Sequence, residues 1–569
     1  MKYKLVNDYN LNKNSPKEII LNNRGIDAKK YLTLDDSCLH SFSSLANIQE
    51  AVSLLLKHIE LLSDIGIVVD SDADGQCSAS ILYQYLKEIY PEGHIEYYIH
   101  TKKQHGLSSE IKIPNNIKLL FVPDAGTNDV NQCKALRERG IDVIILDHHQ
   151  REIDNPYAVI VNPQLDNYPN NELSGGAVVY KYLQALDDEL WENRADKYLD
   201  LVALSIIADS MDLRPYENKR LVDKGLSNIQ NPLFQALIQK QDYSIGGVVN
   251  IINVMFYIIP LINGLIRSST QEEKEMMFKA FSQMYEEFDY KKRGETELVK
   301  EDIYTRVARL CVNCKAKQNR EVDKVLESIN QNIEKYKWNE NKILFANADN
   351  LDGSYIGLVA MKLASQYSKP CILVRELDWK KGFLNGSGRN YDNSAIDNLK
   401  DFMLSTGLVS FAAGHNSAFG CEIKKENIKD VIAKTNEMLI DVDFDKVYHV
   451  DFILSPEELT YDFVLQVNEL KDYYGQNIGE CLVAVENIKM NTKDIEIMGA
   501  NKDTWKFMLN DDVSIIRFKC KEDDEILRLI NEDWGGTEIC VTIVGRCGIN
   551  NFNQISSPQL VVSDYIINK

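Results

Sequence analysis

Apolar residues in the first half of the chain come in short unbroken runs, and each run ends on polar residues of one chemical kind. Ile65-Gly66-Ile67-Val68-Val69 runs into Asp70-Ser71-Asp72-Ala73-Asp74-Gly75, and Leu119-Leu120-Phe121-Val122-Pro123 runs into Asp124-Ala125-Gly126. A third run, Val143-Ile144-Ile145-Leu146, ends on Asp147-His148-His149. Runs of this length, alternating with amphipathic helical stretches from about Leu61 to Leu226, predict a mostly parallel sheet covered by helices, an α/β fold.

The pattern then changes. Val249 to Ile266 is apolar enough to raise the question of a membrane helix, but Asn250, Asn253, Asn263, Pro260 and Gly264 interrupt it and predict a buried or groove-lining segment. Ile303 to Trp338 contains no Pro or Gly and reads as one long polar-faced helix, of the kind that bridges two domains. A second α/β pattern follows, with strands at Ile343-Leu344-Phe345-Ala346 and Cys371-Ile372-Leu373-Val374 and a helix from Ile356 to Tyr367 between them. From Tyr448 onward, short apolar segments at 482–485, 495–497, 513–516, 539–544 and 560–562 are separated by turn residues, which predicts a small β-barrel with an oligonucleotide-binding (OB) fold as one candidate. The expected organisation is an N-terminal segment 1–60, a first α/β domain 61–300, a bridging helix 301–340, a second α/β domain 341–445 and a barrel 446–569.

Composition narrows this picture only a little. At 569 residues the chain is too long for one hydrophobic core. A formal charge of −21 argues against indiscriminate nucleic-acid binding, although a local basic cleft survives inside an acidic protein and carboxylates committed to cations inflate the count. The cysteines are scattered except for Cys311-Val312-Asn313-Cys314, which has neither a second pair nor a nearby histidine to complete a zinc site. Scattered thiols and a polar Met1 to Ser15, without the apolar stretch of a signal peptide, imply a soluble cytoplasmic protein with no membrane association.

The strand endings carry the chemistry. Asp70, Asp72 and Asp74 are two apart, so an extended stretch would turn them to one side, and Gly75 would let the backbone turn into a helix beginning near Ser78. An acidic turn or helix cap explains such residues equally well when they are taken alone. Asp147-His148-His149 is more specific, because a carboxylate and two imidazoles at a strand tip offer metal ligands at the sheet edge where open α/β folds place their sites. Asp209 ends the apolar helix Leu201-Val202-Ala203-Leu204-Ser205-Ile206-Ile207-Ala208, where the helix dipole disfavours an acid. Carboxylates with one or two imidazoles suit Mn²⁺ or Mg²⁺, and two such ions ~3.5–4 Å apart clamp a phosphoryl oxygen for in-line phosphoester hydrolysis.

These motifs resemble those of the DHH phosphoesterase superfamily, and nearly the whole chain resembles its RecJ-like single-stranded-DNA exonucleases. Asn23-Arg24-Gly25-Ile26 is similar to the family's opening segment. Asp70 to Gly75, Asp124-Ala125-Gly126 and Asp147-His148-His149 are similar to its first three motifs, and Leu199 to Asp209 to its fourth. Pro260-Leu261-Ile262-Asn263 with Arg267 resembles a Pro-x-x-Asn-x-x-x-Arg segment, while Gly353 to Ala360, Gly386-Ser387-Gly388-Arg389 and Ala413-Gly414-His415 resemble the DHH-associated domain.

The resemblance implies a 5′-to-3′ exonuclease that uses two divalent ions, Mn²⁺ or Mg²⁺, to release 5′-mononucleotides in DNA repair, recombination or replication. It implies that Asp72 holds the first ion with Asp70 nearby, that Asp124 bridges both, and that Asp74, His148 and Asp209 complete the second. His149 would face the scissile phosphate as ligand support or proton donor, and Asn263, Arg267, Arg389 and His415 would hold phosphates of the strand. Tyr473, Tyr474, Trp505 and Trp534 are available for base stacking. The expected partners are single-stranded DNA and a single-strand-binding protein or helicase, with the chain acting as a monomer.

Several positions depart from the family pattern. Ser71 replaces an aromatic residue, Ala413 replaces a glycine, and Gln104-His105-Gly106-Leu107 stands where the family has Gly-Tyr-Gly-Leu. The Arg usual shortly before that turn is missing, with His100, Lys102 and Lys103 as nearby cationic candidates. Two other readings keep the fold and change the function: a phosphodiesterase of short oligonucleotides, cyclic dinucleotides or pyrophosphate, and a non-catalytic replication scaffold.

Overall fold

The structure, a computed structural model, describes the chain except residues 102–103, 108–110, 166–167, 293, 295–296, 349–350, 378, 392–393, 445, 522, 533–535, 553–554 and 569, with only the backbone described at 551, 552 and 555. Two compact units emerge: Lys17–Ala316 with Glu469–Glu480, and Met1–Pro16 with Lys317–Asn468 and Cys481–Lys569. Residues 1–60 are thus divided. Strand β1 (Lys2–Leu5) lies parallel to Val447–Val450, far away in sequence, whereas the helix Ile48–Glu60 packs against the parallel sheet of the other unit.

That sheet consists of β2 (Asp64–Val69), β3 (Ile95–Ile99), β4 (Ile117–Pro123), β5 (Asp142–Leu146) and β6 (Val159–Val161), all parallel and in the order β3-β2-β4-β5-β6. The apolar runs predicted as strands form β2, β4 and β5, and their residues are almost wholly buried because helices cover both faces. The chain proceeds from β2 outward to β3, then returns to β4 and continues the other way. The switch point therefore lies between β2 and β4, at whose carboxyl ends ligands bind in open sheets.

The apolar segment Ile251–Ser268 is long and apolar enough to cross a membrane, and half of it is buried inside its unit. It contains a π-helical turn, Val254–Ile258, directly before Pro260, whose missing amide cannot donate to the carbonyl one turn back. A hairpin of β7 (Glu287–Tyr290) and β8 (Val299–Asp302) leads into the long helix Ile303–Tyr336, which ends two residues short of the predicted Trp338. Cys311 and Cys314 sit on that helix, the first of them buried.

In the other unit, β9 (Leu344–Asn347), β10 (Cys371–Leu377), β11 (Lys380–Arg389), β12 (Val409–His415) and β13 (Ala418–Lys424) form a sheet in the order β12-β13-β11-β10-β9. Only β9 and β10 are parallel, joined by the predicted helix Ile356–Tyr367. Gly386 and Gly388 lie within β11, where a Cβ at Gly386 would come within 2.0 Å of the Leu373 carbonyl oxygen and one at Gly388 within 2.3 Å of the Phe419 ring. Close packing across the sheet is what these glycines permit.

After β14 (Val447–Val450), the partner of β1, come β15 (Phe452–Leu454), β16 (Val483–Asn491), β17 (Ile495–Met498), β18 (Thr504–Met508), β19 (Ser514–Arg517), β20 (Glu538–Phe552) and β21 (Ile555–Asn568). They form a mostly antiparallel sheet in the order β15-β16-β20-β21-β19-β18-β17, the strand set of a partly open barrel. Every predicted strand of this region is present, together with β15 and β18. Trp505 on β18 is fully buried, as is nearly all of Tyr474, so both serve packing; Trp534 lies outside the described residues.

Candidate metal centre

Three strand ends and two helix ends converge at the switch point. Asp70 follows β2, and its carboxylate accepts a bond from the Gly106 amide at 3.0 Å and lies 2.6 Å from His105 Nδ1. Asp72 caps the helix Ala73–Ile89 by accepting from the Gly75 amide at 3.0 Å. Asp74 lies in the first turn, where its carboxylate accepts from the amides of Gly175 (2.8 Å) and Gly176 (3.0 Å) and from the hydroxyls of Ser78 (2.9 Å) and Ser205 (2.5 Å).

The helix thus begins at Ala73 and not near Ser78, and the acids fan around its N-terminus instead of lining an extended stretch. Gly75 is inside the helix. Its missing side chain is needed because a Cβ there would lie 2.5 Å from Asp70 Cβ.

Asp124, after β4, has φ +66°, a left-handed conformation that costs a non-glycine residue about 1–3 kcal/mol and marks functional sites. Its amide donates to the Leu146 carbonyl at 2.8 Å, and Gly175 lies so close that a Cβ would come within 2.5 Å of Asp124 Oδ1. His148, from the tip of β5, places Nε2 3.2 Å from Asp124 Oδ1 and 3.4 Å from Asp209 Oδ2. Asp209 is the C-cap of the helix Leu199–Ala208.

Asp147 departs from expectation. It turns away from the cluster and accepts from the Thr127 amide (3.0 Å) and hydroxyl (2.6 Å), from the His148 amide (2.7 Å) and from the His149 amide (3.2 Å). His149 Nδ1 lies 2.8 Å from the same carboxylate. The tip therefore contributes two imidazoles, with Asp147 as their anchor and not as a third ligand.

Ligand atoms fall into three groups within which all lie no more than 4.8 Å apart: Asp124, His148 and His149; Asp74, His148 and Asp209; and Asp70, Asp72 and His105. The first two share His148 and describe one side of the centre, and the third describes the other. Asp124 Oδ1 and His148 Nε2 are buried and, among the described residues, have no hydrogen-bond partner despite facing each other. Such an orphaned carboxylate oxygen and imidazole nitrogen fit a cation between them, and the oxygen-rich donor set suits Mn²⁺ or Mg²⁺.

The electrostatics agree. Burial, then Asp70, pushes Asp72 up to about 6. Burial, then Asp74 and Asp72, pushes Asp209 up to about 8, and Asp124 is driven well above the carboxylate range by burial and the same neighbours. Burial lowers His148, which keeps its imidazole neutral as ligation requires. Burial would also raise Asp147, yet its bonds from His149 and Thr127 hold it well below the usual range, and through that bond His149 is raised to about 9.

Asn263 and Arg267 lie one turn apart on the helix Ile259–Ser268 and share a face. Arg267 is exposed as a residue, but desolvation of its guanidinium lowers its pKa while Asp72 acts in the opposite sense, which places it within electrostatic reach of the acids. Arg389 and His415 belong to the other unit. Both are in register with Ala418, on its two sides, so they close the same end of that sheet. Arg389 Nη1 donates to Ser387 Oγ (2.6 Å) and the Gly388 carbonyl (2.7 Å).

If Arg267 grips a phosphate, Arg267→Ala raises KM for a single strand about ten- to hundredfold, the equivalent of about 1.5–3 kcal/mol for a charge-assisted bond. Initial rates against strand concentration read this directly, and an unchanged KM removes Arg267 from the phosphate contacts.

Sequence reasoning missed four contributors to the centre. Ser174-Gly175-Gly176 opens the helix Gly175–Leu190 and delivers two amides to Asp74, and Ser205 adds its hydroxyl. A capping serine before an apolar helical run was the available signal. Thr127 anchors Asp147, and His105 joins the acids from the altered turn. Lys102 and Lys103 lie outside the described residues.

Two family models match the chain: the DHH family, N-terminal domain, over residues 64–206, and the RecJ OB domain over residues 450–564. YorK of the SPbeta prophage in Bacillus subtilis, which bears the name of a single-strand DNA-specific exonuclease, is 37% identical over 99% of this chain and 97% of its own length. The single-stranded-DNA-specific exonuclease RecJ of Bacillus subtilis is 26% identical over 97% of this chain and 68% of its own. The crystal structure of RecJ from Thermus thermophilus with Mn²⁺ shares the fold, with a TM-score of 0.73 at 19% identity over 98% of this chain and 76% of that one. The same protein with Mg²⁺ gives a TM-score of 0.68 at 18% identity over 97% and 75%. An alignment at this identity along nearly the full length of both proteins, joined to the matching DHH and OB domains, makes the chain a member of the RecJ-like exonucleases of the DHH family.

Proposed function

We propose that the chain hydrolyses single-stranded DNA from the 5′ end, releasing 5′-mononucleotides at a centre that holds two divalent cations, Mn²⁺ or Mg²⁺. The orphaned Asp124 and His148 atoms inside a cluster of raised carboxylates carry this reading. The names of the relatives, and the Mn²⁺ and Mg²⁺ in the solved RecJ structures, support it.

Asp70 and Asp72 would hold one ion and Asp74, His148 and Asp209 the other, with Asp124 shared between them as the family motif implies. Bound divalent ions lower the pKa of water and offset negative charge at phosphorus. The remaining work belongs to the side chains. The left-handed turn at Asp124 aims its carboxylate into the middle of the cluster, and the four bonds to Asp74 fix that carboxylate before substrate arrives. Asp147 raises the His149 imidazole to about 9, so its Nε2 would be able to place a proton at the departing 3′ oxygen. Arg267 and Asn263 would hold a backbone phosphate, and Arg389 and His415 a second. An enzyme that needs an unpaired strand depends on a helicase or a single-strand-binding protein to present one, and the free cysteines suit the cytoplasm.

The test uses Mn²⁺ with end-labelled single strands, duplexes, dinucleotides and pyrophosphate. Mononucleotide release from single strands, abolished by a blocked 5′ end but not by a blocked 3′ end, is the expected result. Hydrolysis confined to dinucleotides or pyrophosphate overturns the reading, and no hydrolysis of any substrate favours a scaffold.

A further inference from the structure

Asp70 stands between two imidazoles. His105 Nδ1 lies 2.6 Å from its Oδ2, and His100, only 2% exposed, brings Nε2 to 3.8 Å from its Oδ1. Neither ring nitrogen of His100 has a partner at good hydrogen-bond geometry among the described residues, although Gln104 and the Gly106 backbone lie close to it. A buried imidazole left in this state beside a buried carboxylate marks a place whose polar groups await an occupant. Asp70, Asp72 and His105 each offer one ligand atom within 4.8 Å of the others. The His105 side chain is half exposed, so it can exchange its bond to Asp70 for another partner without disturbing the core.

The geometry points to His105 as a ligand of the first cation, completing a set with Asp70 and Asp72 and making that site select Mn²⁺ over Mg²⁺. An imidazole nitrogen is a softer donor than a carboxylate oxygen or water. Mg²⁺ gives up its water reluctantly for such a donor, whereas Mn²⁺, a first-row transition-metal ion, accepts it. The poorly satisfied His100 nitrogens lie on the same side of the centre. This assignment rests on the two-cation reading of the centre, and on neither the identity nor the polarity of the substrate.

The test is Mn²⁺ binding by the full chain, read by calorimetry and by pulsed electron paramagnetic resonance, which detects nitrogen directly bound to Mn²⁺. Wild type is expected to bind two Mn²⁺. His105→Gln is expected to lose one set of imidazole nitrogen couplings, to weaken one Mn²⁺ by about tenfold or more, and to change Mg²⁺ affinity much less. His105→Asp is expected to lose the same couplings but to bind Mg²⁺ more tightly than wild type. Unchanged nitrogen couplings and Mn²⁺ affinity in a folded His105→Gln protein overturn the assignment and leave the two-cation reading standing. Absence of Mn²⁺ binding by wild type overturns both. If His105→Gln does not fold, the His105→Asp spectra decide, since couplings identical to wild type exclude His105 as a ligand.

Discussion

Asp124→Asn is expected to leave the chain folded while reducing Mn²⁺-dependent hydrolysis of single-stranded DNA by about a thousandfold or more. Asn is the informative replacement. It tolerates the left-handed conformation that Asp124 adopts at φ +66°, where Ala would add strain unrelated to charge. It also preserves the shape that fits against Gly175. What it removes is the negative charge at the middle of the cluster and one oxygen facing His148 Nε2. In the metal-free protein the same substitution removes a carboxylate that burial and four other acids disfavour, so the variant should melt at a higher temperature than wild type in EDTA. Rates in Mn²⁺ and melting curves in EDTA together test this. Activity within tenfold of wild type removes Asp124 from the centre, and a lower melting temperature shows that its charge does not strain the fold.

The legible part of this centre is what local sequence determines. An apolar run that stops at an acid predicts a buried strand delivering a carboxylate, and Asp70, Asp124 and His148 lie where that logic puts them. The illegible part depends on approach between segments distant in sequence. Gly75 reads locally as a turn residue, yet its role is to let Asp70 lie against a helix. Asp74 is satisfied by amides 101 and 102 positions away. Asp147, locally indistinguishable from a ligand, is claimed by Thr127. The same holds for the fold: the need for glycine at 386 and 388 becomes visible only once β10 and β13 are placed on either side of them, and β1 finds its partner at β14. A pattern of apolar positions specifies elements and faces, whereas the pairing of distant elements decides which polar groups remain for chemistry.

Without metal, the chain is expected to lose thermal stability as pH rises from about 4 to about 8, and Mn²⁺ should restore it most at the upper end. In the unfolded chain the aspartates titrate near their ordinary value of 3.8, but in the fold Asp72 is raised to about 6 and Asp209 to about 8, with Asp124 also well above the usual range. Between these limits the three carboxylates hold more protons in the fold than in the unfolded chain, so their contribution to stability falls as pH increases, opposed only near the ordinary imidazole value by the lowered His148 and His100. His149 acts in the same direction, because its imidazolium, raised to about 9 by Asp147, stabilises the fold fully only below its unfolded value of 6.5. Asp147 acts oppositely, but only where pH falls below the ordinary carboxylate range. A divalent cation displaces the protons from Asp72, Asp124 and Asp209, and so binds more tightly as pH rises through this window. Saturating Mn²⁺ at pH 8 should raise Tm by on the order of 5–10 °C, with a smaller gain at pH 5. Melting curves at several pH values in EDTA and in Mn²⁺ measure both trends, and in Asp124→Asn the dependence in EDTA should flatten. A wild-type Tm in EDTA that climbs between pH 5 and 8 would mean that the acids are not in conflict, and the reason for a cation between them would be lost.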